Sequence, residues 1–365
     1  MAENAPEPNR PRMLTRRAQG ARPGARRAVV IGAGSFGTAI AVLLTRAGVR
    51  TVLQTRTPEQ AAALSEAHEN VKYLQGVELP GTLRIEPLES GIDRADYVFL
   101  AVPSTALGEL IDSLPALGRG RRVPSVVSLS KGLVPPDGAS PTTLISRRVG
   151  AHRTACIDGP AHAQEMVHHG AALVAASLDD RLAESLAAIF TRAGVVCEIS
   201  SDPIGVELAG VAKNAAALAA GATEAQGLNA AGAAAGHIFA EVWRYAEANG
   251  AGPESMIGLA GAGDLVATAL APQSRNRRAG ELLAQGLPAA EIEHQVGQAV
   301  EALESVRLLA ARLERAGYAA PVTGGLARLI VGELPLADWV ALVRTTVPQR
   351  SGPRGPAWWR RLRGR

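Results

Sequence analysis

The chain has 365 residues, enough for two domains with a substantial core. Hydrophobic residues make up 47% and aromatics only 3%, which suits a globular body with helices built on Ala and Leu. Formal net charge is +4, but residues 1–27 carry seven Arg and two Glu, and residues 349–365 six Arg and no acid. The body between these tails is therefore net acidic, and the basic balance is no argument for specific nucleic-acid binding by the folded part. Rich in Arg, Pro and Gly and without hydrophobic period, the tails at 1–27 and 348–365 are expected to be disordered. Cys156 and Cys197 have neither metal-ligand spacing nor the density of a disulfide scaffold, so no metal and a reducing cytoplasmic setting are expected. The longest apolar run, Val206 to Thr223, is interrupted by Glu207, Lys213 and Asn214, so no membrane span is expected. The N-terminal tail lacks an apolar signal core.

Ordered structure is expected from Ala28. Ala28 to Ile31 reads as a buried strand, and Thr38 to Ala47 as a helix stopped at Gly48. Val49 to Gln54 is the next strand and Pro58 to Ala67 the next helix. Strands follow at Asp96 to Val102, Ser125 to Leu129, Thr154 to Ile157, Ala171 to Ala176 and Val195 to Ile199, the last two separated by a helix over Arg181 to Ala193. These strands are apolar throughout instead of alternating, the pattern of a parallel sheet covered on both faces. Beyond Ser200 only helical periodicity is evident, over Pro203 to Ala222, Asn229 to Asn249, Ser274 to Gln285 and Ala289 to Arg315.

Gly32, Gly34 and Gly37 stand in G-x-G-x-x-G spacing between the first strand and the first helix. In that context the first glycine serves a tight turn, the second backbone approach to a pyrophosphate, and the third close helix–strand packing; the helix N-terminus receives the phosphates. The fold class is therefore an α/β Rossmann-type N-terminal domain with a parallel-rich sheet at 28–200, followed by an all-α C-terminal domain at 201–347. The second strand ends Leu53-Gln54-Thr55-Arg56, with no acid for a ribose 2′-hydroxyl and with Arg56 available to a 2′-phosphate. NADP or NAD is the expected cofactor, with NADPH favoured; Arg56 could equally be an ordinary surface cation.

Three segments carry unusual polar residues in apolar surroundings. Ser128-Leu129-Ser130-Lys131-Gly132 ends a strand at the crevice side of the sheet. Lys213-Asn214 lies inside an Ala-rich helix, where desolvation would lower the lysine pKa toward a range useful for proton transfer; a lysine snorkelling at a helix edge is the alternative. Gly261-Ala262-Gly263-Asp264-Leu265 precedes Ser274-Arg275-Asn276, where a capped helix start combines with a guanidinium and an amide. Basic residues in a first helical turn oppose the helix dipole, which favours a bound anion such as phosphate. The chain has only three lysines, Lys72, Lys131 and Lys213, against thirty-five arginines. Where Arg has replaced most Lys, a surviving lysine hints at chemistry that needs a releasable proton.

With VIGAGSFGTAIA, AVPS at Ala101 to Ser104, SLSKGL, GPAHAQE from Gly159, VELAGVAKNAAALAAGA and GLAGAGDLVATALAPQSRNRRAG, the chain resembles the NAD(P)-dependent glycerol-3-phosphate dehydrogenase family of the bacterial type over roughly Val29 to Val347. The resemblance implies reduction of dihydroxyacetone phosphate to sn-glycerol 3-phosphate for glycerophospholipid synthesis. It implies Lys213 as proton donor and acceptor at the C2 oxygen, Lys131 polarising that oxygen, and Asp264 in the same cluster. It further implies substrate contacts from Lys131, Gly159, Ala161, Asn214, Thr268, Ser274, Arg275 and Asn276, and cofactor contacts from Gly32, Gly34, Ser35, Phe36, Gly37, Arg56, Lys131, Ala163, Arg275, Val300 and Glu301. A homodimer is expected.

The chain departs from that pattern at several positions. Phe36 and Gln54 stand where Trp is common, and Ala161-His162 where a hydroxyl and Phe are usual. Gly236-His237-Ile238 replaces Thr-Arg-Gly, and Ala212 replaces Leu. Two other readings remain: a related dehydrogenase for another phosphorylated or acidic hydroxy compound, and a non-catalytic, cofactor-binding redox sensor.

Overall fold

The computed structural model describes residues 26–114, 123–271 and 274–347. The expected tails, apart from Arg26 and Arg27, lie outside the described residues. Strands occupy β1 (Arg27–Ile31), β2 (Arg50–Thr55), β3 (Glu69–Asn70), β4 (Leu74–Glu78), β5 (Arg84–Pro87), β6 (Tyr97–Leu100), β7 (Ser125–Ser128), β8 (Thr154–Asp158), β9 (Ala172–Ser177) and β10 (Val196–Ser200). Interleaved with them are helices α1 (Ser35–Arg46), α2 (Pro58–Ala67), α3 (Leu107–Ser113), α4 (Pro141–Val149), α5 (Ala163–His169) and α6 (Asp180–Arg192).

Eight strands form one sheet in the order β10-β9-β8-β7-β6-β1-β2-β5, while β3 and β4 make a separate antiparallel pair. All neighbours in the large sheet are parallel except β8 and β9. The central strands, apolar and buried apart from exposed Arg27 at the start of β1, are covered by α1 and α6 on one side and α3 and α4 on the other. The sheet is parallel-rich as expected, and the β8–β9 pair is its one antiparallel junction among the described residues. The link between those two strands turns back through α5, which lies against α1 instead of crossing the sheet.

The first helix starts at Ser35, not Thr38, because extended Gly34 already ends the turn. Gly32 has φ +111°, and a Cβ there would lie 2.4 Å from the Ala101 carbonyl oxygen at the end of β6. Only glycine lets β1 and β6 meet the turn so closely. The glycine-rich turn, Lys131 beyond β7 and Gly159 beyond β8 thus share the carboxyl edge of the sheet.

Beyond β10 the described residues are helical: α7 (Pro203–Thr223), α8 (Leu228–Ala248), α9 (Pro253–Ile257), a π-turn at Leu259–Gly263, α10 (Asp264–Leu270), α11 (Arg275–Ala284), α12 (Ala289–Val296), α13 (Glu301–Arg315), α14 (Pro321–Ile330) and α15 (Leu336–Thr345). Apolar on nearly every side, α7 is the buried axis, with α8, α11 and α13 packed around it and β8 and β9 beneath. A Cβ on Gly280 would lie 2.0 Å from the Leu218 carbonyl oxygen, so α11 approaches α7 at backbone distance. That approach carries the start of α11 alongside Lys213.

The single helix expected over Ala289 to Arg315 is in fact α12 and α13. Gly297 takes a left-handed conformation with φ +75° and closes α12. The intervening Gln298 and Ala299 then become hydrogen-bond partners of Arg275.

Candidate active site

Four chain segments deliver the charged residues. Ser130 Oγ donates to the Val102 carbonyl at 2.7 Å and ties the loop after β7 to the end of β6, which aims Lys131 across the sheet edge. β8 ends in Asp158, α7 carries Lys213 and Asn214, and the π-turn delivers Asp264 at the start of α10.

Lys131 Nζ lies 2.6 Å from Asp264 Oδ2 and 2.7 Å from Asp158 Oδ1, and donates to the Gly159 carbonyl at 3.0 Å. Lys213 Nζ lies 3.1 Å from the same Asp264 Oδ2. Thr268 Oγ1 donates to the other Asp264 oxygen at 3.4 Å. Asn214 donates through Nδ2 to the Lys131 carbonyl at 2.9 Å, and Asn276 Nδ2 donates to Asn214 Oδ1 at 2.8 Å. The Phe36 ring, from the glycine-rich turn, sits 5.9 Å from Lys131 Nζ. Lys213, Asp264, Asp158, Asn214 and Thr268 are all buried.

Burial makes the amines unlike. Desolvation works against charge on Lys131, but Asp158 and Asp264 outweigh it and raise its pKa. Desolvation and then the Lys131 charge lower the pKa of Lys213, and Asp264 and Asp158 offset this only in part. Desolvation would raise Asp264, yet Lys131 and Lys213 win and lower it. The arrangement holds one amine as a standing cation and makes the other a proton donor that can recover its proton.

The remaining expected site residues divide. Ser274 caps α11, its Oγ accepting the Arg277 N–H at 3.4 Å, and Asn276 joins the lysine cluster through Asn214. Arg275 turns away: its guanidinium is exposed and donates to Gln298 Oε1 and the Ala299 carbonyl, each at 3.2 Å. Glu301 follows on α13; desolvation pushes its carboxyl up while Arg275, Lys213 and Lys131 pull it down. Buried Val300 gives its N–H to Glu293 at 2.9 Å. Ala161 and Ala163 flank His162, the cap of α5, whose Nε2 is 3.4 Å from the Ala267 carbonyl. Arg56 is exposed just beyond β2, and its guanidinium makes no ion pair among the described residues. Gly34 has no atom within 4 Å of where a Cβ would stand, and no side chain caps α1. Asp158 was not among the expected site residues. The available signal was an acid closing an apolar strand, TACID, at the crevice edge.

A doubly wound sheet with an uncapped, glycine-opened helix beside a buried cluster of two lysines and two carboxylates defines a dinucleotide-dependent oxidoreductase. Residues 27–183 match the family described as NAD-dependent glycerol-3-phosphate dehydrogenase N-terminus, and residues 202–341 its C-terminus. A glycerol-3-phosphate dehydrogenase [NAD(P)+] of Deinococcus radiodurans is 39% identical over 316 residues, spanning 85% of this chain and 92% of the relative. Its counterpart in Azotobacter vinelandii is 33% identical over 324 residues, spanning 88% and 94%. The crystal structure of the Coxiella burnetii glycerol-3-phosphate dehydrogenase is similar at TM-score 0.81 and 28% identity, covering 89% of this chain and all of that one. The chain belongs to the NAD-dependent glycerol-3-phosphate dehydrogenase family. A ketopantoate reductase from Ralstonia eutropha shares the fold at TM-score 0.56 and 21% identity, covering 84% of this chain and 99% of that one, so the fold alone does not select the substrate.

Proposed function

We propose that this chain reduces dihydroxyacetone phosphate to sn-glycerol 3-phosphate, reversibly, with NADPH or NADH. The observation that carries the reading is that Lys131 and Lys213 meet on one oxygen of Asp264 at the carboxyl edge of the sheet. The residues present fit a dinucleotide. The open cradle at Gly34 and the free N–H groups of α1 suit a pyrophosphate, and exposed Arg56 suits a 2′-phosphate. A nicotinamide bound there supplies the hydride. We assign residues 28–200 to cofactor binding and 201–347 to substrate binding and catalysis.

Lys213 gives its proton to the C2 oxygen as negative charge develops there, and Lys131 stabilises that charge. Asp264, braced by Thr268, holds both amines, while Asn214 ties the Lys131 backbone to Asn276. Ser274, Arg275 and Asn276 at the α11 start receive the phosphate, with Arg275 exchanging its present backbone and amide partners for the ligand. Gly159 and Ala161 border the substrate; Ser35, Phe36, Ala163, Val300 and Glu301 border the cofactor. We further read the protein as a cytoplasmic homodimer that supplies the glycerol phosphate backbone of phospholipids. Among the described residues no helix is long and apolar enough to cross a membrane.

Mixing purified protein with dihydroxyacetone phosphate and each reduced nucleotide, followed by nicotinamide absorbance, tests the reading. Turnover with the triose phosphate supports it. Inactivity with both nucleotides, alongside activity on another phosphorylated ketone, would transfer the assignment to the related dehydrogenase that Ala161 and His237 favour.

A further inference from the structure

We propose that Asp158 is a positioning residue: together with Asp264 it clamps Lys131 between two carboxylates, so that Lys131 stays a fixed cation and proton exchange falls to Lys213. The proposal rests on the reading of Lys213 as proton donor. Asp158 is the last residue of β8, and its side chain is 5% exposed. Its Oδ1 is 2.7 Å from Lys131 Nζ and also accepts the Gly159 N–H at 2.7 Å, which fixes the carboxylate in place. Its Oδ2 points at α7, where a Cβ on Gly210 would be only 2.2 Å away. A glycine inside a long buried helix is locally costly. Here it leaves the space that the carboxylate occupies.

The groups that face this pair come from every neighbouring element. Lys213 and Glu207 project from α7, Asp264 from α10 and Glu301 from α13, and Cys156 shares β8. With Asp158 present, two amines are balanced by two carboxylates. Without its charge, both amines crowd onto Asp264. Lys131 then repels a charged Lys213 with less compensation, and Lys213 loses one of the two carboxylates that favour its charged form. Ketone reduction needs protonated Lys213, so its alkaline limb moves to lower pH.

The three-lysine composition permits a direct test. In a Lys72→Arg background, 13Cε-lysine labelling leaves two signals, from Lys131 and Lys213. In Asp158→Asn the Lys213 midpoint is expected to fall by about half a pH unit or more, and Lys131 to lose its proton at lower pH than before. In the same variant kcat for triose phosphate reduction is expected to fall about tenfold, with the alkaline limb displaced the same way. Gly210→Ala, which displaces the carboxylate without altering charge, is expected to act in the same direction and keeps the test decisive should the Asn variant not fold. Unchanged lysine midpoints in both variants, or a kcat within twofold of the parent on an undisplaced pH profile, would overturn the proposal. Failure of the parent protein to reduce dihydroxyacetone phosphate would refute the functional reading instead, and the lysine titration would still decide the role of Asp158.

Discussion

Asp264 Oδ2 receives Lys131 at 2.6 Å and Lys213 at 3.1 Å, and the half-ångström difference accompanies opposite electrostatic outcomes. Lys131 has a second carboxylate and stays charged; Lys213 has a charged neighbour and a lowered pKa. Reduction consumes a proton from Lys213, so its rate should decline as pH rises through the Lys213 pKa. Oxidation of glycerol phosphate needs the neutral amine and should rise over the same interval. Lys213→Arg keeps a cation but cannot release a proton near neutral pH. We expect it to lower kcat by about 10²–10⁴-fold, and steady-state kinetics at several pH values would detect this. Arg56 is the residue that would recognise a 2′-phosphate. Arg56→Ala is expected to raise KM for NADPH about tenfold and leave KM for NADH nearly unchanged, since a charge-assisted contact of ~1.5 kcal/mol corresponds to that factor. Equal effects on both nucleotides would show that Arg56 does not read that group.

At the scale of elements, the turn from β1 to α1 has little freedom. Gly32→Ala places a methyl in a left-handed backbone and against the Ala101 carbonyl. A loss of about 1–3 kcal/mol in urea unfolding is expected, together with weaker nucleotide binding by fluorescence titration. This turn was legible in the sequence because glycine spacing reports backbone geometry directly. The lysine cluster was legible through three short motifs on β7, α7 and α10. Asp158 was not, because an acid after an apolar strand has the same local signature whether it faces water or a lysine from a distant loop. Other losses were also non-local. The β3–β4 pair and β5 are short and polar in part, so no apolar run marks them. The break between α12 and α13 was hidden because no proline or turn cluster marks it; left-handed Gly297 closes α12 and non-helical Val300 precedes α13.

Over the whole molecule, the sheet edge and the buried helix α7 meet at the lysine cluster, and a further buried acid, Glu207, lies on α7. Glu207 accepts the N–H of Thr142 at 2.9 Å and its hydroxyl at 2.5 Å, anchoring the start of α4 to α7. Desolvation pushes its carboxyl from the ordinary value of 4.5 up to about 8. Between those values the folded protein keeps a proton that the unfolded chain has released. This group therefore makes stability fall as pH rises through that window. Thermal melts should show Glu207→Gln losing less Tm than the parent between mildly acidic and mildly alkaline buffer; parallel declines would contradict this. Sedimentation equilibrium should give twice the chain mass if the homodimer reading holds. The two-part architecture was visible in the change from strand-and-helix alternation to pure helical periodicity near Ser200. The reversal of β9 was not, since pairing direction depends on where α5 packs and not on strand composition.

The most direct measurement compares parent and Lys213→Ala proteins in single-turnover reduction of dihydroxyacetone phosphate with pre-bound NADPH. Retained nucleotide affinity with a turnover rate reduced by about 10²–10⁴-fold is the expected result. A variant that binds the nucleotide normally and reduces the ketone at close to the parent rate would contradict the claim that Lys213 carries the proton.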